Sequence, residues 1–224
     1  LMYWLKHAAF RFVIWRAVCA SRRVITVSQT VKGQIMDYFS VSEEKVYVAL
    51  EAARLMPTCP SGWKSPVGGA FIFTPGNAYP HKNLEMLIDA FKIFKERYAT
   101  DLALVLCGQE DVFRDRIVKR IGELGMGSSV IHLGHVSDED LSCLYQHALA
   151  LVLPSVEEGF GLPLLEAARC KTPVLASDIP VFREVLGNEF IAFNPCDVYA
   201  IVEAVAWLIE NSADAKDMGE RAQE

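Results

Sequence analysis

The sequence predicts an α/β fold, a doubly wound parallel sheet, and three observations predict it. Short β-branched runs alternate with amphipathic stretches from Arg23 onward. The runs are apolar throughout rather than alternating, as strands covered on both faces must be. Helix-start signals and turn-forming residues fall between the runs, where strand–helix alternation needs them. Half of the 224 residues are hydrophobic (52%), enough for one full core.

The first 23 residues carry Lys6, Arg11, Arg16, Arg22 and Arg23, no acid, and the interleaved aromatics Tyr3, Trp4, Phe10, Phe12 and Trp15. They read as a basic aromatic helix. Such a helix can lie on an anionic membrane surface. Packing on a neighbouring domain is the favoured reading, because the chain begins at Leu1 and reads as a piece of a longer protein. Arg11 and Arg16 interrupt any signal-peptide core, and no apolar run reaches the length of a membrane span.

Strands are expected at 24–27, 46–50, 71–73, 102–106, 130–133, 149–153, 174–176 and 191–193, and helices at about 31–39, 84–98, 112–124, 138–148, 163–170 and 197–211. Ser137, followed by Asp138, Glu139 and Asp140, places a cap and negative charge at one helix start. Asp197 does the same for the last long helix. The Pro-, Gly- and Ser-rich stretch 57–69 reads as a loop separating a first unit, about 24–56, from the main run, about 70–196. The chain ends at Glu224 within a helix-like pattern, which suggests truncation. Residues 1–23 are therefore expected to be a remnant of, or linker to, a missing amino-terminal domain, and 24–224 a single Rossmann-like domain.

The formal net charge of -6 argues against a general nucleic-acid binder, which would carry a basic face. Cys19, Cys59, Cys107, Cys143, Cys170 and Cys196 are widely spaced, with no zinc or redox motif. They read as buried thiols in a reducing compartment.

Ligands bind at the carboxyl ends of strands in an open parallel sheet. After the run 149–153 comes Pro154-Ser155-Val156-Glu157-Glu158-Gly159-Phe160-Gly161-Leu162-Pro163-Leu164-Leu165-Glu166. Gly159 and Gly161 permit a tight backbone path beside a ligand. Pro163 places a helix start near Leu162, and its free N–H groups make a site for pyrophosphate. Two carboxylates beside that site make sense as acceptors for hydroxyls. A nucleotide sugar offers hydroxyls on both sides of its pyrophosphate. On this reading Glu166 holds the ribose and Glu158 the hexose. After 71–73 comes Thr74-Pro75-Gly76-Asn77-Ala78-Tyr79-Pro80-His81-Lys82-Asn83, where Gly76 lets the chain approach the phosphates and Lys82 supplies a point charge.

Two glutamates separated by seven residues, with Thr172-Pro173-Val174-Leu175-Ala176-Ser177, Glu184-Val185, Gly134-His135-Val136 and Leu144-Tyr145 around them, resemble the retaining glycosyltransferases of family 4. The resemblance covers roughly 24–210. It implies the carboxy-terminal, donor-binding half of the two-Rossmann-domain (GT-B) fold. It also implies transfer of a hexose from a GDP- or UDP-linked sugar to a glycan or lipid-linked acceptor with retention of configuration. Mannose is the preferred sugar, because Gly-Asn followed by Pro-His-Lys-Asn resembles mannosyltransferases of surface polysaccharide pathways. Glu158 and Lys82 are the candidates for the chemistry. Gly76, Asn77, Lys82, Val136, Glu158, Gly159, Phe160, Gly161, Leu162 and Glu166 are the candidates for donor binding, Val136 through its backbone to the base.

No cofactor or metal is expected. There is no DxD, HExxH or cysteine cluster, and phosphate contacts replace a cation. The implied location is the cytoplasm, with peripheral contact at the inner face of the membrane as the alternative reading of the basic helix. The acceptor site is expected on the missing domain, so this chain is expected to bind donor with little or no transfer.

Three positions depart from the family pattern. Asn77 stands where arginine is common, Lys171 where glycine is common, and Glu51-Ala52-Ala53 where Asn-Gly is common. His81 and His135 read as polar surface. A nucleotide-sugar epimerase of related architecture and a non-catalytic nucleotide-sugar-binding module are the alternatives. A dehydrogenase lacks its GxGxxG here, and a phosphate-loop nucleotidase its GxxxxGK[ST].

Overall fold

A computed structural model describes residues 2–223. Leu1 and Glu224 lie outside the described residues, as does the side chain of Tyr3, one of the aromatics noted above. The chain forms two compact units, Leu1–Glu51 and Ala52–Glu224.

The first unit holds α1 (Met2–Ala20), β1 (Val24–Thr26), α2 (Gln29–Phe39), one turn of 3-10 helix (Glu43–Lys45) and β2 (Val46–Val48). Ser28 caps α2 by accepting from the Val31 N–H at 3.1 Å. The strands β1 and β2 pair in parallel as a two-stranded sheet of their own. Lys45 donates to the Cys19 carbonyl at 2.8 Å, and the Arg11 guanidinium lies 5.3 Å from the Tyr38 ring centre. The unit boundary therefore falls after Glu51, not after residue 23. The reason is local. The runs at 24–27 and 46–50 look like the others in sequence, but Ile25 is 73% exposed, so β1 is not covered on both faces. The expected helix at 1–23 is present as α1, with Trp4, Phe10 and Phe12 exposed. No helix among the described residues is long and apolar enough to cross a membrane.

The second unit alternates strand and helix: β3 (Phe71–Pro75), α3 (Leu84–Arg97), β4 (Ala103–Cys107), α4 (Val112–Glu123), β5 (Val130–His132), α5 (Asp138–His147), β6 (Ala150–Leu153), α6 (Leu162–Arg169), β7 (Val174–Ser177), α7 (Pro180–Leu186), β8 (Ile191–Phe193), α8 (Val198–Glu210) and α9 (Ser212–Arg221). Every strand pairing is parallel, in the order β5-β4-β3-β6-β7-β8. This is a doubly wound, Rossmann-like sheet whose connections reverse direction between β3 and β6.

Alternate strand residues feed two cores. Ile72, Leu104, Leu106 and Val152 pack with α3, α4 and α8 on one face. Phe71, Phe73, Val105, Leu151 and Leu153 pack with α5, α6 and α7 on the other. This two-sided burial explains the continuous apolar runs. Each fully buried Phe or Leu contributes about 1.5–3 kcal/mol. Ser137 and Asp197 cap α5 and α8 as expected. Lys171, just past the end of α6, has φ 58, where glycine would sit more easily.

Two expectations are corrected. The stretch 57–69 is a loop, as expected, but it lies within the second unit rather than between the two. Ser142 and Gln146 of α5 both donate to the Pro57 carbonyl, and Trp63 donates its indole N–H to Asp140 at 3.0 Å. The stretch is a strap along α5. It brings Cys59 to Cys143, and the two form a disulfide, Cα to Cα 4.9 Å, across 84 residues of sequence. No local spacing could signal that pair. Of the remaining thiols Cys107 is buried, Cys170 intermediate, and Cys19 and Cys196 exposed, so six buried thiols is not the arrangement found.

Candidate functional site

The connections reverse between β3 and β6, and the loops at the carboxyl edge there hold the residues singled out in the sequence. The edge is built backbone against backbone. The Gly76 N–H donates to the Cys107 carbonyl at 2.8 Å, and the Gly108 N–H donates to the Gly134 carbonyl at 2.9 Å. Gly76 and Gly134 have φ of 113° and 71°, which β-carbon-bearing residues rarely adopt. A β-carbon on Gly108 would lie 2.1 Å from the Gly76 carbonyl oxygen.

Beyond Gly76 the chain makes one 3-10 turn (Pro80–Lys82) and enters α3 through Asn83, at φ 57. The Asn83 amide donates to the carbonyls of Pro154 at 3.1 Å and Pro195 at 2.8 Å. The Val156 N–H donates to the His81 carbonyl at 2.8 Å. These bonds stitch the loop after β3 to the loop after β6 and fix Lys82 opposite Glu158.

The first carboxylate, Glu158, accepts from the Lys82 ammonium at 2.6 Å and from the Ser155 hydroxyl at 2.7 Å through the same oxygen, Oε1. Ser155 is fully buried, so it anchors the carboxylate from below. The second, Glu166, is buried on the second turn of α6. Its Oε2 accepts from the Tyr145 hydroxyl at 2.7 Å and its Oε1 from the Arg54 Nε at 2.9 Å. Arg54 also pairs with Asp138 through Nη1.

Burial, reinforced by the Glu166 charge, raises the Tyr145 pKa well above its usual value. The hydroxyl therefore stays protonated and always donates. Burial likewise pushes Cys107 up to about 12 and Cys170 to about 11, again with Glu166 adding to the effect. These thiols are inert fillers.

Tyr145→Phe tests the buried half of this arrangement. The ring would keep its edge-on packing against Phe73, 4.7 Å between centres, and lose only the O–H. A loss of about 1–3 kcal/mol in urea denaturation is expected, because a buried carboxylate oxygen would lose its donor. An unchanged midpoint would show that the bond contributes nothing.

Gly161, at φ 98, is the N-cap of α6, and no side chain among the described residues caps the helix. Leu162 is half-exposed at that end. The Phe160 ring is buried, 7% exposed, so a ligand could meet only its backbone. Asn77 is half-buried beside Gly76, and His81 and His135 are exposed. Val136 lines a cavity of about 260 Å³ with Trp63, Leu133, Asp140 and Leu144. Sequence reasoning missed Arg54, Tyr145, Ser155 and Gly108 as parts of the site. It quoted Asn83 without a role. Among the described residues, no three His, Cys, Asp or Glu side chains gather where they could hold a metal ion.

Comparison with known proteins agrees with this fold. Residues 60–224 match the family model described as glycosyl transferases group 1. The chain is 35% identical over 188 residues to the O-antigen chain mannosyltransferase RfbU of Salmonella typhimurium, covering 84% of this chain and 51% of that protein. It is 30% identical over 193 residues to the O-antigen chain mannosyltransferase B of Escherichia coli, covering 81% of this chain and 50% of that protein. The chain thus spans about half the length of these curated relatives. HepE from Anabaena, solved in complex with UDP and glucose, superposes with a TM-score of 0.78 at 21% identity, over 91% of this chain and 57% of that one.

Proposed function

This chain belongs to the glycosyl transferases group 1 family, and from that premise we propose that it is the donor-binding half of a retaining hexosyltransferase. The donor is a nucleoside-diphosphate sugar, GDP- or UDP-linked, with mannose the preferred hexose. The observation that carries the reading is the Lys82–Glu158 pair, 2.6 Å apart across the β3–β6 reversal, where such sheets bind nucleotides. The names of the two mannosyltransferases and the UDP–glucose complex of HepE support the ligand class.

Each group has a task in that reading. The Glu158 carboxylate accepts from hexose hydroxyls and positions the sugar. The Glu166 carboxylate accepts from the ribose. Lys82, Asn77 and the start of α6 from Gly159 to Leu162 face the diphosphate. Charge builds on that diphosphate as the glycosidic bond breaks, and fixed donors aimed at developing charge are commonly the largest contribution to catalysis. The base rests against the backbone at Val136. The acceptor, a glycan or a lipid-linked sugar, is held by an amino-terminal domain. Substitution on the same face, with the leaving phosphate guiding the nucleophile, gives retention. No metal or cofactor takes part.

Calorimetric titration of the chain with UDP, GDP and their sugars tests this. One diphosphate is expected to bind, and Lys82→Ala to weaken it by about 1–3 kcal/mol, the worth of a charged hydrogen bond. Neither diphosphate binding a folded sample at millimolar concentration would sink the reading. Measuring nucleotide release with and without acceptor separates transfer from epimerisation.

A further inference from the structure

Arg54 is the one strong cation in the site that the sequence did not point to, and it sits on the carboxylate that the ribose needs. The two oxygens of Glu166 have unlike partners. Oε2 is held by Tyr145, a fully buried hydroxyl fixed by its packing. Oε1 is held by Arg54, whose side chain is 43% exposed and which lies in a stretch without regular secondary structure. Arg54 is therefore the partner that can leave. It also has a second seat, because Asp138 on the first turn of α5 already accepts from its Nη1. A guanidinium can give up one carboxylate and keep the other without stranding its charge.

Resting on the donor-site reading above, we propose that Arg54 is a specificity-determining residue that occupies the ribose acceptor on Glu166 in the empty site. On donor binding the ribose hydroxyls take over Glu166 Oε1, and Arg54 stays on Asp138. The exchange replaces a partly solvated ion pair, whose net worth is small, with hydroxyl-to-carboxylate bonds. Arg54 thereby lowers the affinity for any nucleotide carrying ribose hydroxyls and leaves a nucleotide without them unaffected. It also returns to Glu166 when the spent diphosphate departs.

The test compares a nucleoside diphosphate with its 2′,3′-dideoxy form on the 224-residue chain by calorimetry. Both forms carry the same diphosphate, so changes in site charge cancel in the ratio of their dissociation constants. In Arg54→Ala the preference for the ribo form is expected to rise by about twofold to fivefold. In Asp138→Asn, which removes the second seat on an exposed surface, the preference is expected to fall by about twofold or more. An unchanged or smaller preference in Arg54→Ala overturns the proposal. Should that variant fail to fold, an unchanged or larger preference in Asp138→Asn overturns it. If the unmodified chain binds neither GDP nor UDP, the donor-site reading falls, and this proposal with it. If it binds with ratios untouched by either change, only the role of Arg54 falls.

Discussion

Gly108→Ala is expected to destabilise the chain by about 1–3 kcal/mol, the range for forcing atoms into a packed interior. The added methyl would stand 2.1 Å from the Gly76 carbonyl oxygen, and that oxygen belongs to backbone. Relief requires β3 and β4 to part at their carboxyl ends. Such a shift breaks the bond from Gly76 to Cys107. Since Gly76 and Asn77 also face the proposed diphosphate, nucleotide affinity should fall together with stability. Urea denaturation and calorimetry of the same sample read both. A variant within about 0.5 kcal/mol of the parent, the usual range for surface changes, would show that the edge can open freely and that the contact has no such role.

Loss of Glu166 should have the other large effect. In Glu166→Ala the Tyr145 hydroxyl is buried without an acceptor, Arg54 keeps only Asp138, and the proposed ribose contact is lost. Nucleoside diphosphate affinity is expected to fall about a hundredfold, corresponding to hydrogen bonds to a charged group. Stability should fall by about 1–3 kcal/mol from the orphaned hydroxyl alone. Glu166→Gln separates the two losses. Its amide oxygen can still accept from Tyr145 while its amide nitrogen meets Arg54 badly, so stability should recover more than affinity. Equal recovery of both would mean that Glu166 acts on the nucleotide only through the fold.

The central strands β3, β4, β6 and β7 were legible because they are covered on both faces, which leaves an unbroken apolar run such as that at 103–107. All eight expected strands occur, within two residues at each end. What periodicity could not reveal is which strands share a sheet. The runs at β1 and β2 have the same composition as the rest, yet pair apart from them. Helix α7 went unnoticed because seven residues give barely two turns of pattern. In the site, Gly76, Lys82, Glu158 and Glu166 were legible because glycine, proline and charge lie close together in sequence. Their partners were not, because Arg54 meets Glu166 across 112 residues and Tyr145 meets it across 21. A glycine directly after the apolar run of β4 was the signal available for Gly108. For the Cys59–Cys143 disulfide no signal existed.

A chain leaves the ribosome from its amino end, so residues 71–83 emerge well before the segment they must join. The bond from Thr74 to Val152 spans 78 residues and that from Lys82 to Glu158 spans 76. Pairings of such separation close slowly, because the loop between them must be ordered first. β3 can meet β4 early, but the line where β3 meets β6 must wait for α3, β4, α4, β5 and α5 to be made. A nucleotide that bridged that line, as proposed above, would bind the finished chain and not its precursors, and so would stabilise the native state by mass action. The same line that is joined late during synthesis would then, with the proposed donor bound, be held more firmly against reopening.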